Sequence, residues 1–362
     1  MDMRLPGEMF EEACQRFPPE EKQYYKGRHD LSGLPPVIRD QLRFIQETFT
    51  ESLGNEKQDV PGHVDHSPFH VDYVDSSVPN AIVFPFGGYS FIGVTIPLIS
   101  CLSDVCLRLS KSATVAALLG FQPSTEDDNE LQAVLFSILI SFVVAHEYTH
   151  IVHGHIVLPS AGSMFPNEIL DAGCSADLEA QIQEVVADGY SIYHVLANFL
   201  DGSGRSWLTV LNLDPVQTSI QDEVLLSLVV LAVGAYWFLR PSRALNSVDI
   251  YKCSHPPQVA RMHCLIQEVM NWCRQNRPAL QSFMTPNRFQ QLMNAATQAT
   301  LGMTGAQVCG EQVAFFQSED GVRYRRALAS GVNAYKESFG TRRQRRWRET
   351  EEPPCNDMIM SK

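Results

Sequence analysis

The chain has 362 residues, 44% hydrophobic and 19% charged, which is material for one large domain or two ordinary ones with buried cores. Its formal net charge is −13, from 28 basic and 41 acidic residues; that balance argues against a nucleic-acid partner, because attraction to phosphate supplies most of such affinity. The first residues, Met1-Asp2-Met3-Arg4-Leu5-Pro6, lack the basic segment and apolar core of a secretory leader. The nine cysteines are scattered without C-x-x-C spacing, so reduced, mostly buried thiols and a cytoplasmic setting are expected.

Residues 1–60 mix charge with short apolar clusters broken at Pro18-Pro19 and Pro35-Pro36. A helix can start after each pair, and Val37, Ile38, Leu42, Ile45 and Phe49 recur near helical spacing. This stretch reads as an N-terminal helical layer. Residues 61–79 form a polar connector with His63, His66 and His70 beside Asp65 and Asp72. Without a defined ligand spacing, the connector reads as a loop leading into a strand rather than as a metal cluster. Residues 80–99 are rich in β-branched and aromatic residues around Gly87-Gly88, the pattern of a hairpin or strand pair, and Pro85 and Pro97 favour edge positions there.

From Ser100 the pattern is mainly helical. Ser124-Thr125-Glu126-Asp127-Asp128 offers helix-start residues ahead of the apolar run Leu131–Ala145. Asp201-Gly202-Ser203-Gly204 marks a loop. Val224–Leu239 is an uncharged run of sixteen residues, short of the roughly 20 that a membrane span requires, so it reads as a core helix and against membrane association. The tail from Gly340 gathers Arg342, Arg343, Arg345, Arg346 and Arg348, then acids and Pro353-Pro354, and reads as solvated and mobile. The expected fold class is mainly α with a small antiparallel β-sheet (α+β). The expected organisation is an N-terminal helical layer at 1–60, a main domain at 61–310, a helical segment at 311–339 and a charged tail at 340–362.

The chemistry concentrates in His146-Glu147-Tyr148-Thr149-His150, an H-E-x-x-H motif. Histidines four apart share one helix face, so both imidazoles can reach one cation. The glutamate between them can take a proton from a water on zinc. A catalytic zinc needs a third protein ligand and an open position. His153, His155 and Glu184 are candidates. Glu184 is preferred, because one straight helix cannot wrap three ligands around a tetrahedral ion. The longer H-E-x-x-H-x-x-G-x-x-H pattern also fails, with His153 where glycine is needed and Ile156 where histidine is needed. His153 and His155 then read as helix-end residues that can support the site from outside. Asp188, four after Glu184, shares its face and is suited to fix His146 through its second ring nitrogen. Two acids among Ile182, Val185, Val186, Ala187 and Ile192 call for a buried partner. His255, in Ser254-His255-Pro256, reads by itself as a residue at a helix N-terminus.

H-E-x-x-H followed by Glu184-Val185-Val186-Ala187-Asp188 resembles the gluzincin peptidases of the HtpX and CAAX-prenyl-protease type. Two further segments are similar to that family in the same order. One is Asn80-Ala81 with Phe84-Pro85-Phe86-Gly87-Gly88-Tyr89; the other is His255-Pro256-Pro257 with Arg261. The phage-exclusion protease Lit has a similar soluble H-E-x-x-H arrangement. The resemblance spans roughly residues 80–265 and leaves both ends of the chain unmatched. It implies a zincin-like metallopeptidase at 61–310, with the active-site helix under a short sheet. It also implies one Zn2+ per chain and a protein or peptide substrate cut internally, with Glu147 as the base. The strand from Gly88 to Val94 would be the edge that receives extended substrate, giving Gly87, Gly88 and Tyr89 a substrate-binding role. His255 would face the open metal position and steady the oxyanion, with Tyr190 as a weaker alternative. Arg261 would anchor its helix to an acid. The rivals are a non-catalytic zinc-binding sensor or scaffold and a chance motif.

Overall fold

The computed structural model describes residues 5–56, 68–121, 129–153, 155, 178–211, 218–239, 249–253, 255–303 and 310–343. His63, Asp65, His66, the helix-start cluster at 124–128 and the tail beyond 343 lie outside them. The first elements are α1 (Pro6–Gln15), α2 (Pro19–Lys22), β1 (Tyr25–Arg28), α3 (Pro36–Glu56), β2 (Phe69–Ser76), β3 (Ala81–Phe86) and β4 (Tyr89–Thr95). Helices follow: α4 (Ile96–Ser110), α5 (Ala113–Leu119), α6 (Glu130–Val152), α7 (Leu178–Leu200), α8 (Trp207–Val210) and α9 (Thr218–Trp237). The last are α10 (Gln258–Asn276), α11 (Pro278–Phe283), α12 (Pro286–Thr300), α13 (Gly310–Gln317) and α14 (Glu319–Arg343). Contacts divide the chain into two units, Met1–Cys101 with His146–Cys174, and Leu102–Ala145 with Ser175–Lys362. The division after Ala145 falls inside the unbroken helix α6.

The first unit is built on a four-stranded sheet in the order β1-β2-β4-β3. The α+β class holds, but the sheet is mixed rather than antiparallel. β2 and β4 run parallel from Phe69↔Ser90 to Val74↔Thr95, while β1 and β3 pair antiparallel with their neighbours. The short turn at 77–80 carries the chain past one strand position, and β4 returns through Gly87-Gly88 into the gap. The first sixty residues are therefore not a purely helical layer, since β1 adds a strand to the sheet. Pro19 and Pro36 open α2 and α3, where a missing N–H costs nothing. Pro97 has the same place in the first turn of α4 and is not a strand residue. Pro85 does lie on the edge strand β3.

Helix α1 covers one face of the sheet. Phe10 lies 5.5 Å, ring centre to ring centre, from both Phe84 and Phe91. Gly93 makes room for this packing: a Cβ there would meet Val74 at 2.7 Å and Phe10 at 3.3 Å. His70 is a strand residue whose Nε2 lies 3.1 Å from Asp72, which also accepts from the Arg28 Nε at 2.8 Å. On the opposite face the Tyr73 hydroxyl donates to the Leu42 carbonyl at 2.8 Å, tying α3 to β2.

The second unit is helical. Helices α6 and α9 are both long and apolar enough to cross a membrane, yet 78% and 89% of their apolar windows are buried. Leu225, Leu226, Leu228 and Val229 on α9 are fully buried, each contributing about 1.5–3 kcal/mol. Phe142 on α6 packs edge-on against Tyr236 and Trp237 at 6.0 Å. Apolar residues all round such helices are what an interior position requires. Cys14, Cys106 and Cys273 are buried thiols, and burial pushes that of Cys273 up to about 12. The helix α14 continues to Arg343, past Gly340 where the tail was expected to begin.

Candidate metal centre

The apolar run of α6 ends in the H-E-x-x-H turn. His146 and Glu147 are buried, and the Nε2 atoms of His146 and His150 stand 3.0 Å apart. Their rings meet edge to face at 4.8 Å. Two nitrogens on one tetrahedral ion, each bonded at about 2.0–2.1 Å, lie about 3.3 Å apart, so the histidine pair already has a spacing that fits a metal. Within the first unit, Tyr148 packs on Phe69 with ring centres 4.9 Å apart. Phe69 stands opposite Ser90 in the sheet, which sets this turn beside the hairpin end of the strands. The His150 Nδ1 lies 3.0 Å from the Nδ1 of His155. With His150 Nδ1–H as the donor in this contact, its Nε2 keeps the lone pair that a metal requires.

The third candidate ligand lies on α7. Gln181, Glu184, Val185, Asp188, Ser191 and Ile192 are all buried, at helical spacing along one stripe. His146, His150 and Glu184 are all buried, and each offers a ligand atom within 4.8 Å of the others. This group can hold a metal ion. Two imidazole nitrogens and a carboxylate oxygen make a donor set that suits zinc and leaves room in a tetrahedron for one more ligand.

Asp188 and Arg261 form a buried fork. Arg261 Nε donates to Asp188 Oδ2 at 2.7 Å, and its Nη2 donates to Oδ1. The guanidinium also lies over Trp237, 5.3 Å from the ring centre, and so ties α10 to both α7 and α9. The carboxylate expected to fix His146 has both oxygens on this fork. His255 lies with its Nε2 3.4 Å from Glu184 Oε2, with both side chains nearly fully buried. It does not cap the next helix. That position belongs to Pro257, and the rigid Pro256-Pro257 pair leads straight into α10. Tyr190 is partly exposed on α7.

Gly87 and Gly88 form the tip of the β3–β4 hairpin with φ of +57° and +85°. Those angles are the left-handed backbone of a two-residue turn between the paired Phe86 and Tyr89. β4, however, is flanked by β2 and β3 and has no free edge. The expectation that residues 88–94 receive a substrate strand is therefore corrected, and the binding role of Gly87, Gly88 and Tyr89 loses the edge on which it rested.

Motif reading missed Gln181 and Tyr324. The Gln181 amide donates to the carbonyls of Ile250 at 2.8 Å and Cys253 at 2.9 Å, and Tyr324 donates to its oxygen. The signal available for Gln181 was its place one turn before Glu184 on the buried stripe; for Tyr324 there was none. Comparison with family models, curated proteins and solved structures finds no match to the chain.

Proposed function

We propose that the chain is a zinc-dependent metallopeptidase whose metal is held by His146, His150 and Glu184. The observation that carries this reading is the buried His-His-Glu group, with Glu147 standing between the two histidines in sequence. When bound there, zinc would supply Lewis-acid polarisation of a scissile carbonyl and would lower the pKa of the attacking water toward about 7. Glu147 takes a proton from the attacking water and passes it to the leaving amine nitrogen. His255, at 3.4 Å from Glu184, donates to the carbonyl oxygen as negative charge develops. His146, Glu147, Glu184 and His255 are each buried, which strengthens electrostatic interactions of this kind.

The test is elemental mass spectrometry followed by a peptide-cleavage assay. Wild type should carry one zinc per chain, Glu184→Ala should lose it, and Glu147→Ala should keep zinc while cleavage stops. A folded wild type with no tightly bound metal overturns the reading. One observation favours a second, non-catalytic reading. The 3.4 Å between His255 and Glu184 is also near the roughly 3.3 Å expected between two ligands of one tetrahedral ion. A fourth protein ligand would close the site to water. X-ray absorption separates the two: three protein ligands with a water support the peptidase, whereas four support a scaffold.

A further inference from the structure

We propose that Gln181 and Tyr324 are positioning residues, a buried polar clamp that holds His255 at the Glu184 carboxylate and makes the C-terminal helix α14 part of the site. This rests on the role given above to His255. Gln181 is completely buried on α7, one turn before Glu184. Its side-chain nitrogen donates to the Ile250 and Cys253 carbonyls at 2.8 and 2.9 Å, and its oxygen accepts from the Tyr324 hydroxyl at 2.5 Å. Two carbonyls on one end and a hydroxyl donor on the other permit only one orientation of the amide. One of these carbonyls lies within the 3-10 turn Asp249–Lys252 and the other on the residue that follows it, where the last C=O groups have no partner within the turn itself.

His255 lies two residues beyond the second clamped carbonyl and immediately before Pro256-Pro257. The clamp fixes the chain on one side of it, and the two prolines and α10 fix the other.

Tyr324 is built to keep donating. It is fully buried, and its ring sits edge-on between Tyr251 at 5.7 Å and Phe316 at 5.9 Å. Burial raises the phenol well above its ordinary pKa, with nearby Cys264 and Cys253 adding to the effect, so the hydroxyl stays protonated. The approach of α14 to α7 is close at the neighbouring residue: a Cβ on Gly331 would fall 2.1 Å from Ile182 Cδ1.

The experiment uses the full zinc-loaded chain and the variants Gln181→Leu and Tyr324→Phe, with circular dichroism as the check on folding. Diethylpyrocarbonate modification of His255 and amide exchange over residues 249–256 are read by mass spectrometry. His255 is only 4% exposed in the native protein. In Gln181→Leu both rates should rise by about tenfold or more, the factor that losing one or two net hydrogen bonds puts on a local opening. Tyr324→Phe should give a smaller rise in the same peptides. Zinc content should stay at the wild-type value, and kcat should fall while KM holds. Native rates at His255 in folded Gln181→Leu overturn the clamp. Should that variant not fold, native rates in Tyr324→Phe overturn it instead. The modification and exchange readings need no peptidase activity, so they decide the clamp even where the proposed reaction fails.

Discussion

The pair Arg261–Asp188 offers a sharp test of how the second unit is held together. Its side chains are 0% and 1% exposed, and the contact is a two-pronged fork. Arg261→Met removes the guanidinium that neutralises a carboxylate on the same buried stripe as Glu184. Breaking such a pair from one side costs about 3–5 kcal/mol, a large part of an ordinary total of about 5–15 kcal/mol. The double variant Arg261→Met with Asp188→Leu no longer buries either charge, and should recover to within about 1–2 kcal/mol of wild type. Urea denaturation followed by tryptophan fluorescence reads both values, and Trp237 beneath the guanidinium reports from the site itself. Chelator competition on the same proteins separates two roles for Asp188. If it only balances Arg261, zinc affinity recovers with stability in the double variant. If it also fixes His146, affinity stays down by about 10–100-fold while stability returns. A cost below about 1 kcal/mol for Arg261→Met would refute the view that this pair organises the helices around the site.

Two further outcomes are expected. His155→Ala removes the ring that meets His150 at Nδ1, and zinc affinity should fall by about 10–100-fold in chelator competition; unchanged affinity would dismiss His155 from the site. His263 is held neutral, with burial first and Arg325 second lowering its pKa from 6.5 to about 4. The unfolded chain takes up that proton near pH 6.5 and the folded chain only near pH 4. Stability from this residue is therefore complete above pH 6.5 and lost as pH falls toward 4, up to about 3 kcal/mol at 1.36 kcal/mol per pH unit. Denaturation curves across that window should flatten in His263→Leu; an unaltered slope would show that other groups carry the acid response.

What the sequence made legible was local. The histidine pair, the apolar run before it and the acid stripe of α7 are each set by spacing within one helix, so residues 131–150 and 181–188 could be placed without knowing what they touch. The hairpin around Gly87-Gly88 was visible for the same reason. Which strand lies at the edge was not, because an alternating pattern is the same on an edge as in the interior. The order β1-β2-β4-β3 depends on β1 arriving from far upstream and on the few residues at 77–80. The membership of Gln181 in the site is the deeper case. In sequence it is a glutamine on a helix, indistinguishable from a solvated one, and its burial is made possible by carbonyls at 250 and 253 and by a hydroxyl 143 residues away. A buried amide is stable only where every donor and acceptor is met, and those partners come from segments that no periodicity connects. The converse is usable: a 3-10 turn ending just before a proline pair leaves carbonyls to be satisfied, and a polar residue one turn from a ligand on a buried stripe is where their donor should be sought.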